Sequence, residues 1–559
     1  MAKLLIILMA PLILLAEPAR LDLGDASGWQ FVNGAWKQDG DVVKPPTERA
    51  DFYYAFRRGA SHSDLTAEFD FRITTNHADA GLIIRAQDPA HFYMVHFPNG
   101  GQQYRAQHFW AALSVSDGTG YLRFLKLALV PRVPSNLGLW KKVKIQVSGD
   151  EFRLFVNGFE AFTVRDRTFL QPGRIGLAGF ARFELRNLRI DGKALPEQAW
   201  NEGVKFPKTW FIPAAAPQLG WQHRPSLTMT RNGTMLMLMN TTKGKSMVDP
   251  REAGNATVLL RSTDKGRTWS KPEIRAELTG CELLTLKDGS LIAIKTGTPP
   301  HETTQPTTNE IWRLESSDDG RTWSKPEKAR WDGPFPKDPK TLGGAYTVQL
   351  KDGAIVLFLI GGHSSTQKGL NVTTWGSIHT SAFSTRSTDG GRTWSPPVNL
   401  DANPPWPPNS PQYEGNLDLT EAVGAETSDG RIISLTRPIY SPWMWESWSE
   451  DGGKTWGPSV RGPFPGYAPL PMIRTASGAM MIATRFPGIT IHSSYDDGKT
   501  WDEGTYLDSS IWAMGDMVEV EPNLVFLAYM DSFGGPVRAQ FIRVGPKGLV
   551  PDTAWIPKQ

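Results

Sequence analysis

Cysteine is nearly absent from the sequence. The 559 residues include one, Cys281, which excludes an intrachain disulfide framework. An excess of charge is lacking too, since the formal net charge is only +3. This balance gives no reason to expect a nucleic acid or a membrane surface as a partner. Helical periodicity is also scarce, which argues against a helical fold. No group of His and Asp residues has the spacing of metal ligands, and we expect neither a metal nor another cofactor.

A hydrophobic run long enough for a comfortable membrane span is also missing. The longest run, residues 4–16, follows Lys3 and ends in small residues, which is the pattern of a secretory signal peptide. We assign the signal peptide to residues 1–19, and an uncleaved anchor is the alternative. The signal predicts a secreted or periplasmic protein of bacterial type, with no membrane contact after cleavage.

The composition that is present favours an all-β protein. Gly 54, Pro 43 and Trp 21 accompany many short alternating runs bounded by turn residues. The chain is too long for one ordinary core, so we expect two domains. We assign a β-sandwich to residues 20–195, a linker with a ring-closing strand to 196–220, a repeat domain to 221–545 and a C-terminal tail to 546–559.

One phrase, Ser-x-Asp-x-Gly-x-Thr-Trp, occurs five times, beginning at Ser262, Ser316, Ser387, Ser449 and Ser494. In each copy Ser and Asp can bond nearby backbone N–H groups, Gly can take a positive φ, and Trp can pack away from solvent. Each copy belongs to a unit of apolar strands, and a sixth unit near the C-terminus lacks the phrase. Repetition on this scale predicts a six-bladed β-propeller.

The register of the units predicts where a site would lie. First-strand starts and second-strand ends share one face of a propeller, so polar residues there converge on its central pocket. Arginines that converge without an equal number of neighbouring acids predict an anionic ligand, because their forks bind carboxylates in a bidentate manner. The polar residues at these positions are His223, Arg224, Asp249, Glu282, Lys295, Tyr346, His363, Glu421, Arg437, Arg485, Asp516, Tyr529 and Asp531.

The repeat domain resembles the propeller of exo-sialidases (neuraminidases) over nearly its whole length. The family's three arginines correspond to Arg437, Arg485 and Arg224, the last in a His-Arg-Pro sequence where the family has Arg-Ile-Pro. The resemblance implies that these arginines hold the carboxylate of the substrate. It also implies that Asp249 is the acid/base residue and that Glu421 is the glutamate that activates the nucleophile.

The resemblance does not extend to the nucleophile. The family has a tyrosine at the first strand of the sixth unit, and Met514 occupies that position. Asp516 faces the same side two residues on, and Tyr506 and Tyr529 are spatial substitutes to consider. We therefore expect the attack to come from Asp516 or from a water molecule that Glu421 activates.

Residues 20–195 resemble the concanavalin-like, laminin-G-like jelly-roll sandwiches of secreted carbohydrate-active proteins, including 3-keto-disaccharide hydrolase domains. The resemblance rests on Trp140-Lys-Lys-Val, on Val156-Asn-Gly and on Gly176-Leu-Ala-Gly with Asn187. It implies an accessory domain that binds carbohydrate, and a structural platform is the alternative.

The residues and the resemblances together predict a secreted, monomeric glycoside hydrolase that removes a terminal acidic sugar, such as sialic acid, from a glycan. We expect Tyr346 and His363 to contact the substrate beside the arginines. Two rivals stay open. One is a non-catalytic, lectin-like propeller, and the other is a hydrolase or lyase for another acidic sugar such as a uronate. For the arginines, the structural alternative is pairing with an acid in the propeller core.

Overall fold

The computed structural model shows an all-β protein. No α-helix occurs among the described residues, which contain two short 3-10 turns, Ala26–Gly28 and Ala276–Leu278. Within these same parts of the chain, no helix is long and apolar enough to cross a bilayer. The structure describes residues 19–20, 23, 25–46, 52–75, 77–100, 109–204, 210–211, 218–219, 224–242, 256–300, 308–337, 341–362, 380–400, 419–438, 441–467, 469–509, 514–530, 537–546 and 548–552.

The first sixteen strands form two sheets that pack face to face. They are β1 Ala19–Arg20, β2 Trp29–Val32, β3 Lys37–Asp39, β4 Val42–Lys44, β5 Tyr53–Arg57, β6 Leu65–Ile73, β7 His77–Asp88, β8 His91–His96, β9 Asn99–Gly100, β10 Trp110–Asp117, β11 Leu122–Leu129, β12 Lys141–Ser148, β13 Glu151–Val156, β14 Phe159–Arg165, β15 Arg174–Phe180 and β16 Phe183–Asp191.

The outer sheet of the sandwich follows the order β14-β13-β12-β6-β16-β4-β3, with β1 beside β16. In β6, buried side chains alternate with more exposed ones, because one face of the strand covers the core and the other faces outward. Phe69, Phe71, Ile145 and Phe152 are among the residues that fill this core.

The inner sheet follows the order β2-β5-β15-β7-β8-β10-β11, with β9 beside β7. Its strand β15 is buried at every residue, and β10 at every residue except the last. Strands buried on both faces need cover on both sides. One face covers the sandwich core, and the other packs against the propeller through residues such as Trp110 and Phe486.

The remaining strands belong to the repeat domain and its approach. They are β17 Trp210–Phe211, β18 Gln218–Leu219, β19 Ser226–Met229, β20 Met235–Thr242, β21 Ala256–Ser262, β22 Glu273–Ile274, β23 Glu282–Thr285, β24 Leu291–Thr296, β25 Ile311–Ser316, β26 Glu327–Lys328, β27 Arg330–Trp331, β28 Thr341–Gln349, β29 Ile355–Gly362, β30 Thr380–Ser387, β31 Thr393–Trp394, β32 Val398–Asn399, β33 Ala422–Glu426, β34 Ile432–Thr436, β35 Trp443–Ser449, β36 Val460–Pro465, β37 Ile473–Arg474, β38 Met480–Thr484, β39 Ile489–Ser494, β40 Thr505–Asp508, β41 Gly515–Glu521, β42 Leu524–Met530, β43 Val537–Gly545 and β44 Gly548–Pro551.

Five sheets stand separately as propeller blades. They are β18 to β22, β23 to β26, β28 to β30 with β32, β33 to β36, and β41 to β43 with β17 and β44. Strands β37 to β40, which the sequence predicts as a blade of their own, belong instead to the inner sheet of the sandwich. The connection is the pair β11 and β40, in which Leu122 lies opposite Tyr506. The prediction of six separate blades is therefore corrected to five, because the edge of β40 takes a partner strand from the sandwich.

The two ends of the repeat domain meet. Leu227 in β19 donates its backbone N–H to Asp516 in β41, at 2.8 Å. In addition, β17 pairs antiparallel with β43, with Trp210 opposite Ala539. Strand β17 lies in the segment from which the sequence predicts a ring-closing strand.

Candidate functional site

Polar residues gather at one end of the propeller strands. Arg224 lies two residues before β19, Glu421 immediately precedes β33, and Asp516 is the second residue of β41. Arg437 and Arg485 directly follow β34 and β38, which are second strands of their units. Starts of first strands and ends of second strands share one end of antiparallel blades, so these side chains meet around the centre.

Arg224 is held between two acidic side chains. It donates to Glu282, and its Nη1 lies 3.8 Å from Oδ2 of Asp516. Its guanidinium carbon lies 4.1 Å from the centre of the Tyr346 ring, a distance at which a cation is attracted to the ring face. Burial lowers the pKa of Arg224, but Glu282 and the other neighbours outweigh it and raise the pKa above its usual range. Arg224 therefore stays charged.

Asp516 is fixed by the main chain. Its Oδ2 accepts the N–H of Leu227 and its Oδ1 accepts the N–H of Met517, both at 2.8 Å. Burial raises the pKa of Asp516 to about 7, although Arg224 acts in the opposite direction. The carboxyl group can thus gain or lose a proton near neutral pH.

Glu282 opens β23 and is also buried. Its carboxylate accepts from the backbone N–H and the hydroxyl of Thr347, each at 3.3 Å, in addition to Arg224. Burial raises the pKa of Glu282 and the nearby Arg224 lowers it, with burial the larger effect. Glu282 and Asp516 together orient the guanidinium group of Arg224.

Glu421 and Arg437 form the second half of the site. Nη1 of Arg437 donates to Oε2 of Glu421 at 2.8 Å, and its Nη2 donates to the Tyr467 hydroxyl. The ring of Tyr467 lies 3.8 Å from the guanidinium carbon of Arg437. Burial by itself raises the pKa of Glu421, but Arg437 and Arg485 outweigh it, and the pKa lies below its usual range. Glu421 is therefore an ionised carboxylate at neutral pH.

Arg485 lies beside the same tyrosine. Its backbone N–H donates to the carbonyl oxygen of Tyr467 at 2.8 Å, and its guanidinium carbon lies 5.0 Å from the ring centre. Only 5% of Arg485 is exposed. Burial lowers the pKa of Arg485, and Arg437 lowers it further by repulsion. Tyr467 thus contacts both arginines of this half.

Tyr346 connects the two halves. Burial raises its pKa above the usual range, and the charges that act on it are Arg224, Glu421, Glu282 and Arg485. Because electrostatic influence of this kind requires proximity, the two arginine groups lie around one centre.

The charges at this centre are balanced. Among the described residues, Arg224, Arg437 and Arg485 face the three carboxyl groups of Glu282, Glu421 and Asp516. The expectation that arginines outnumber neighbouring acids is therefore wrong for the described part of the site. The strand starts that carry Glu282 and Asp516 supply the additional acids.

Four of the thirteen predicted residues, His223, Asp249, His363 and Asp531, lie outside the described residues. The structure brings seven of the others together: Arg224, Glu282, Tyr346, Glu421, Arg437, Arg485 and Asp516. In the described part of the chain, no group of three or more His, Cys, Asp or Glu side chains is arranged to hold a metal ion.

Tyr506 and Tyr529, which the sequence offers in place of the missing nucleophile, and Met514 itself have contacts of their own. Tyr529 is fully buried in β42, where its hydroxyl donates to Asp508 at 2.8 Å and accepts from Gln540 at 2.9 Å. Tyr506 packs against Phe52 at the contact between the sandwich and the propeller. Met514 packs against an apolar cluster between the first and last units. The hydroxyl of Tyr529 is thus engaged by Asp508 and Gln540, whereas the use of Tyr506 in place of the missing tyrosine stays a prediction.

Sequence reasoning missed the role of two residues. Glu282 had the right register, but nothing in the sequence indicates that it pairs with Arg224 from the neighbouring unit. Tyr467 lies between β36 and β37, outside the alternating strands, and no pattern marks it. The role of Tyr467 depends on its contacts with Arg437 and Arg485, and only the tertiary fold creates these contacts.

Two family descriptions match parts of the chain. A BNR repeat-like domain matches residues 279–510, and a 3-keto-alpha-glucoside-1,2-lyase-like domain matches residues 21–191. The prediction of BNR repeats is thereby confirmed. The predicted likeness of the N-terminal region to 3-keto-disaccharide hydrolase domains is confirmed as a likeness to a 3-keto-sugar domain, whose description names a lyase.

Individual proteins are similar at a lower level. A xyloglucanase from a Paenibacillus species is 28% identical over 263 residues, which are 44% of this chain and 23% of that protein. The chain therefore spans about a quarter of the length of this curated relative. The NanB sialidase of Streptococcus pneumoniae is 13% identical, with a TM-score of 0.43 over 86% of this chain and 95% of its own. A Hadza microbial sialidase is 16% identical, with a TM-score of 0.43 over 90% and 95%.

Proposed function

We propose that the protein is a glycoside hydrolase that removes a terminal acidic sugar, such as sialic acid, from a glycan. The observation that carries the proposal is the convergence of Arg224, Arg437 and Arg485 from three separate units around Glu421 and Tyr346. The BNR-repeat match and the similarity to a protein named xyloglucanase support hydrolysis of a glycan.

The arginines would hold the carboxylate of the sugar. Guanidinium forks bind carboxylates through two parallel hydrogen bonds, and such charge-assisted bonds are strong in a site that excludes water. Asp516, with a pKa of about 7, is partly protonated at neutral pH. Three cations then face fewer than three full negative charges, which leaves a net positive centre for an anionic ligand.

Glu421 is our candidate for the base. It is ionised, and it would take a proton from water while the water oxygen forms a bond to the anomeric carbon. The glycosidic bond breaks in the same step, and the leaving oxygen takes a proton from Asp249. Attack by Asp516 is less favoured, because both of its oxygens already accept backbone N–H groups.

The balance of charges favours a second candidate, which is hydrolysis of an uncharged glycan. The three arginines can be paired with the three carboxyl groups and need no anionic ligand. The name of the Paenibacillus relative, xyloglucanase, suggests xyloglucan as the substrate. In this alternative the arginines hold the acids in place and contact sugar hydroxyls.

We also propose that the propeller ring has six units, with β37 to β40 as the fifth. Glu519 in β41 accepts the N–H of Ala476, at the turn that follows β37, at 2.9 Å, and this contact between the two units supports the proposal. A crystal structure in which β37 to β40 lay outside the ring would refute this.

The test compares turnover of a fluorogenic sialoside, uronic-acid oligosaccharides and xyloglucan oligosaccharides. Arg437→Ala should lower kcat/KM on the acidic substrate by about 100-fold, because a charge-assisted pair is lost in a buried site. Arg437→Lys, which keeps the charge and loses the fork, should recover only part of this.

Arg431→Ala is the matched control. Arg431 lies at the opposite end of β34, where it pairs with Asp429 at 3.0 Å. The Arg431→Ala variant should leave turnover unchanged. Equal activity in wild type and Arg437→Ala would contradict the arginine assignment, turnover of xyloglucan alone would favour the second candidate, and binding without turnover would indicate a lectin-like protein.

A further inference from the structure

The inner sheet of the sandwich contacts the wall of the arginine centre. Trp110, the first residue of β10, is 2% exposed although it lies on the face that points away from the sandwich core. Its ring centre lies 5.1 Å from that of Phe486 and 6.0 Å from that of Trp443, both in the propeller. These aromatic contacts bridge the two domains.

Each of the two contacted residues lies next to an arginine of the site. Phe486 directly follows Arg485 in the chain. Trp443 opens β35, which pairs with β34, and β34 ends immediately before Arg437. Trp110 therefore packs against segments that adjoin both arginines.

Tyr467 completes the connection. Its ring packs against the same interdomain cluster as Trp110 and Phe486. Its hydroxyl accepts from Arg437, and its backbone carbonyl accepts from the N–H of Arg485. One residue thus contacts the sandwich interface on one side and both arginines on the other.

We propose that the sandwich is part of the binding site of the propeller, with Trp110 as a positioning residue that acts through Phe486 and Tyr467 on Arg485 and Arg437. The propeller site is then complete only when the sandwich is docked. This inference rests on the proposed function insofar as the two arginines bind the ligand, but the placement of the arginines can be tested without any ligand.

The first experiment uses the full-length chain and the fluorogenic sialoside. Trp110→Ala should raise KM about 10-fold and change kcat by less than about 3-fold, because the arginines hold the carboxylate equally in ground and transition states. Trp110→Phe keeps an aromatic ring at the interface and should restore most of the affinity. Equal kinetics for wild type and Trp110→Ala would overturn the proposal.

Phe52→Ala is the matched control for loss of an interface side chain. Phe52 lies in the same cluster, and its ring contacts Tyr506 of β40 at 5.5 Å. It should lower thermal stability with little effect on KM. A rise in KM equal to that of Trp110→Ala would show that any weakening of the interface has the same effect, and would refute a specific positioning role.

The second experiment needs no substrate. Phenylglyoxal, which modifies arginine side chains, is applied to each variant, and the modified peptides are measured by mass spectrometry. Modification of Arg485 and Arg437 should be several-fold faster in Trp110→Ala than in wild type, Trp110→Phe and Phe52→Ala. Equal rates in all four proteins would refute the inference even if the sialoside proves not to be a substrate, whereas faster modification without turnover would refute only the proposed function.

Discussion

Asp516 is a buried acid at the centre of the propeller whose charge changes near neutral pH. Two backbone N–H groups bind its oxygens, which favours the ionised form, yet burial is the stronger effect and sets the pKa at about 7. Arg224 faces it at 3.8 Å, and Glu282 shares that arginine. The charge beside Arg224 therefore changes by up to one unit near neutral pH.

Asp516→Asn should reduce the pH dependence of stability. The folded protein keeps a proton on Asp516 up to about pH 7, whereas the unfolded chain loses it near 3.8, so stability falls as the pH rises through this window. Removing the group should take away up to about 1.4 kcal/mol of slope per pH unit. Urea unfolding at several pH values in this window measures the slope.

Asp502→Asn provides the comparison. Burial also raises the pKa of Asp502 to about 7, and its carboxylate accepts from the N–H of Ser493. This variant should lose a smaller slope than Asp516→Asn, because 36% of the Asp502 side chain is exposed and solvent screens its charge. Ligand binding should not change. If Asp516→Asn keeps the full slope of the wild type, Asp516 titrates normally and does not control the charge of the centre.

The sequence was informative about positions within one unit, including Arg437 beside Glu421, and uninformative about the pairs that join separate segments. Arg437 and Glu421 could be predicted because strand register assigns each to the same end of its blade. The bonds of Arg224 to Glu282 and of Arg437 to Tyr467 could not, because they cross from one unit to the next or come from a connecting segment. Such pairs depend on the distance between neighbouring blades, which no local pattern encodes.

The repeated turn is the element that stabilises the five units that carry it. In the fourth copy the carboxylate of Asp451 accepts from the hydroxyl of Ser449, the N–H groups of Lys454 and Thr455, and the hydroxyl of Thr455, at 2.6 to 3.0 Å. The N–H of Gly453 donates to the hydroxyl of Ser449 at 2.8 Å. All five copies follow third strands, at the opposite end of the blades from the arginine centre.

Asp451→Ala should therefore destabilise the protein and leave the site intact. Four hydrogen bonds are lost in a partly exposed turn, for which we expect about 2 kcal/mol. Glu450→Ala is the control, since it also removes an acid, and Glu450 lies 3.7 Å from Arg431 at an exposed position. Thermal unfolding measures the difference, and a fall in ligand affinity without loss of stability would contradict a purely structural role.

The strands of the five units that carry the phrase were predictable because the phrase recurs beside short apolar strands. The junction of β37 to β40 with the sandwich could not be predicted from the sequence. It needs only two residue pairs, Leu122 with Tyr506 and Arg123 with Thr505, between segments far apart in the chain. An edge strand offers unpaired backbone groups to any neighbour, and its partner depends on how the domains pack.

The whole molecule is connected by a buried polar network as well as by this sheet. The Tyr121 hydroxyl in the sandwich donates to Gln540 at 2.8 Å, and Gln540 donates to Tyr529 at 2.9 Å. Tyr529 and Arg538 both donate to Asp508, at 2.8 and 2.6 Å. Buried networks of this kind are costly when one member is removed. We expect the sandwich and propeller to unfold together.

Tyr121→Phe tests this coupling. The change leaves the buried oxygen of Gln540 without its donor, which should cost about 1 to 3 kcal/mol. Differential scanning calorimetry of the wild type should show one transition with equal calorimetric and van't Hoff enthalpies. In Tyr121→Phe the transition should move to lower temperature and broaden, because the contact that links the two domains is weakened.

Tyr93→Phe separates this effect from simple destabilisation. It removes a phenolic hydroxyl that donates to Asp166 at 2.5 Å and accepts from the N–H of Phe169 at 3.0 Å, both inside the sandwich. If the domains unfold as one unit, Tyr93→Phe should lower the single transition without broadening it, because the interface is unchanged. Two resolved transitions in the wild type, with only one of them moved by Tyr93→Phe, would show that sandwich and propeller are thermodynamically independent.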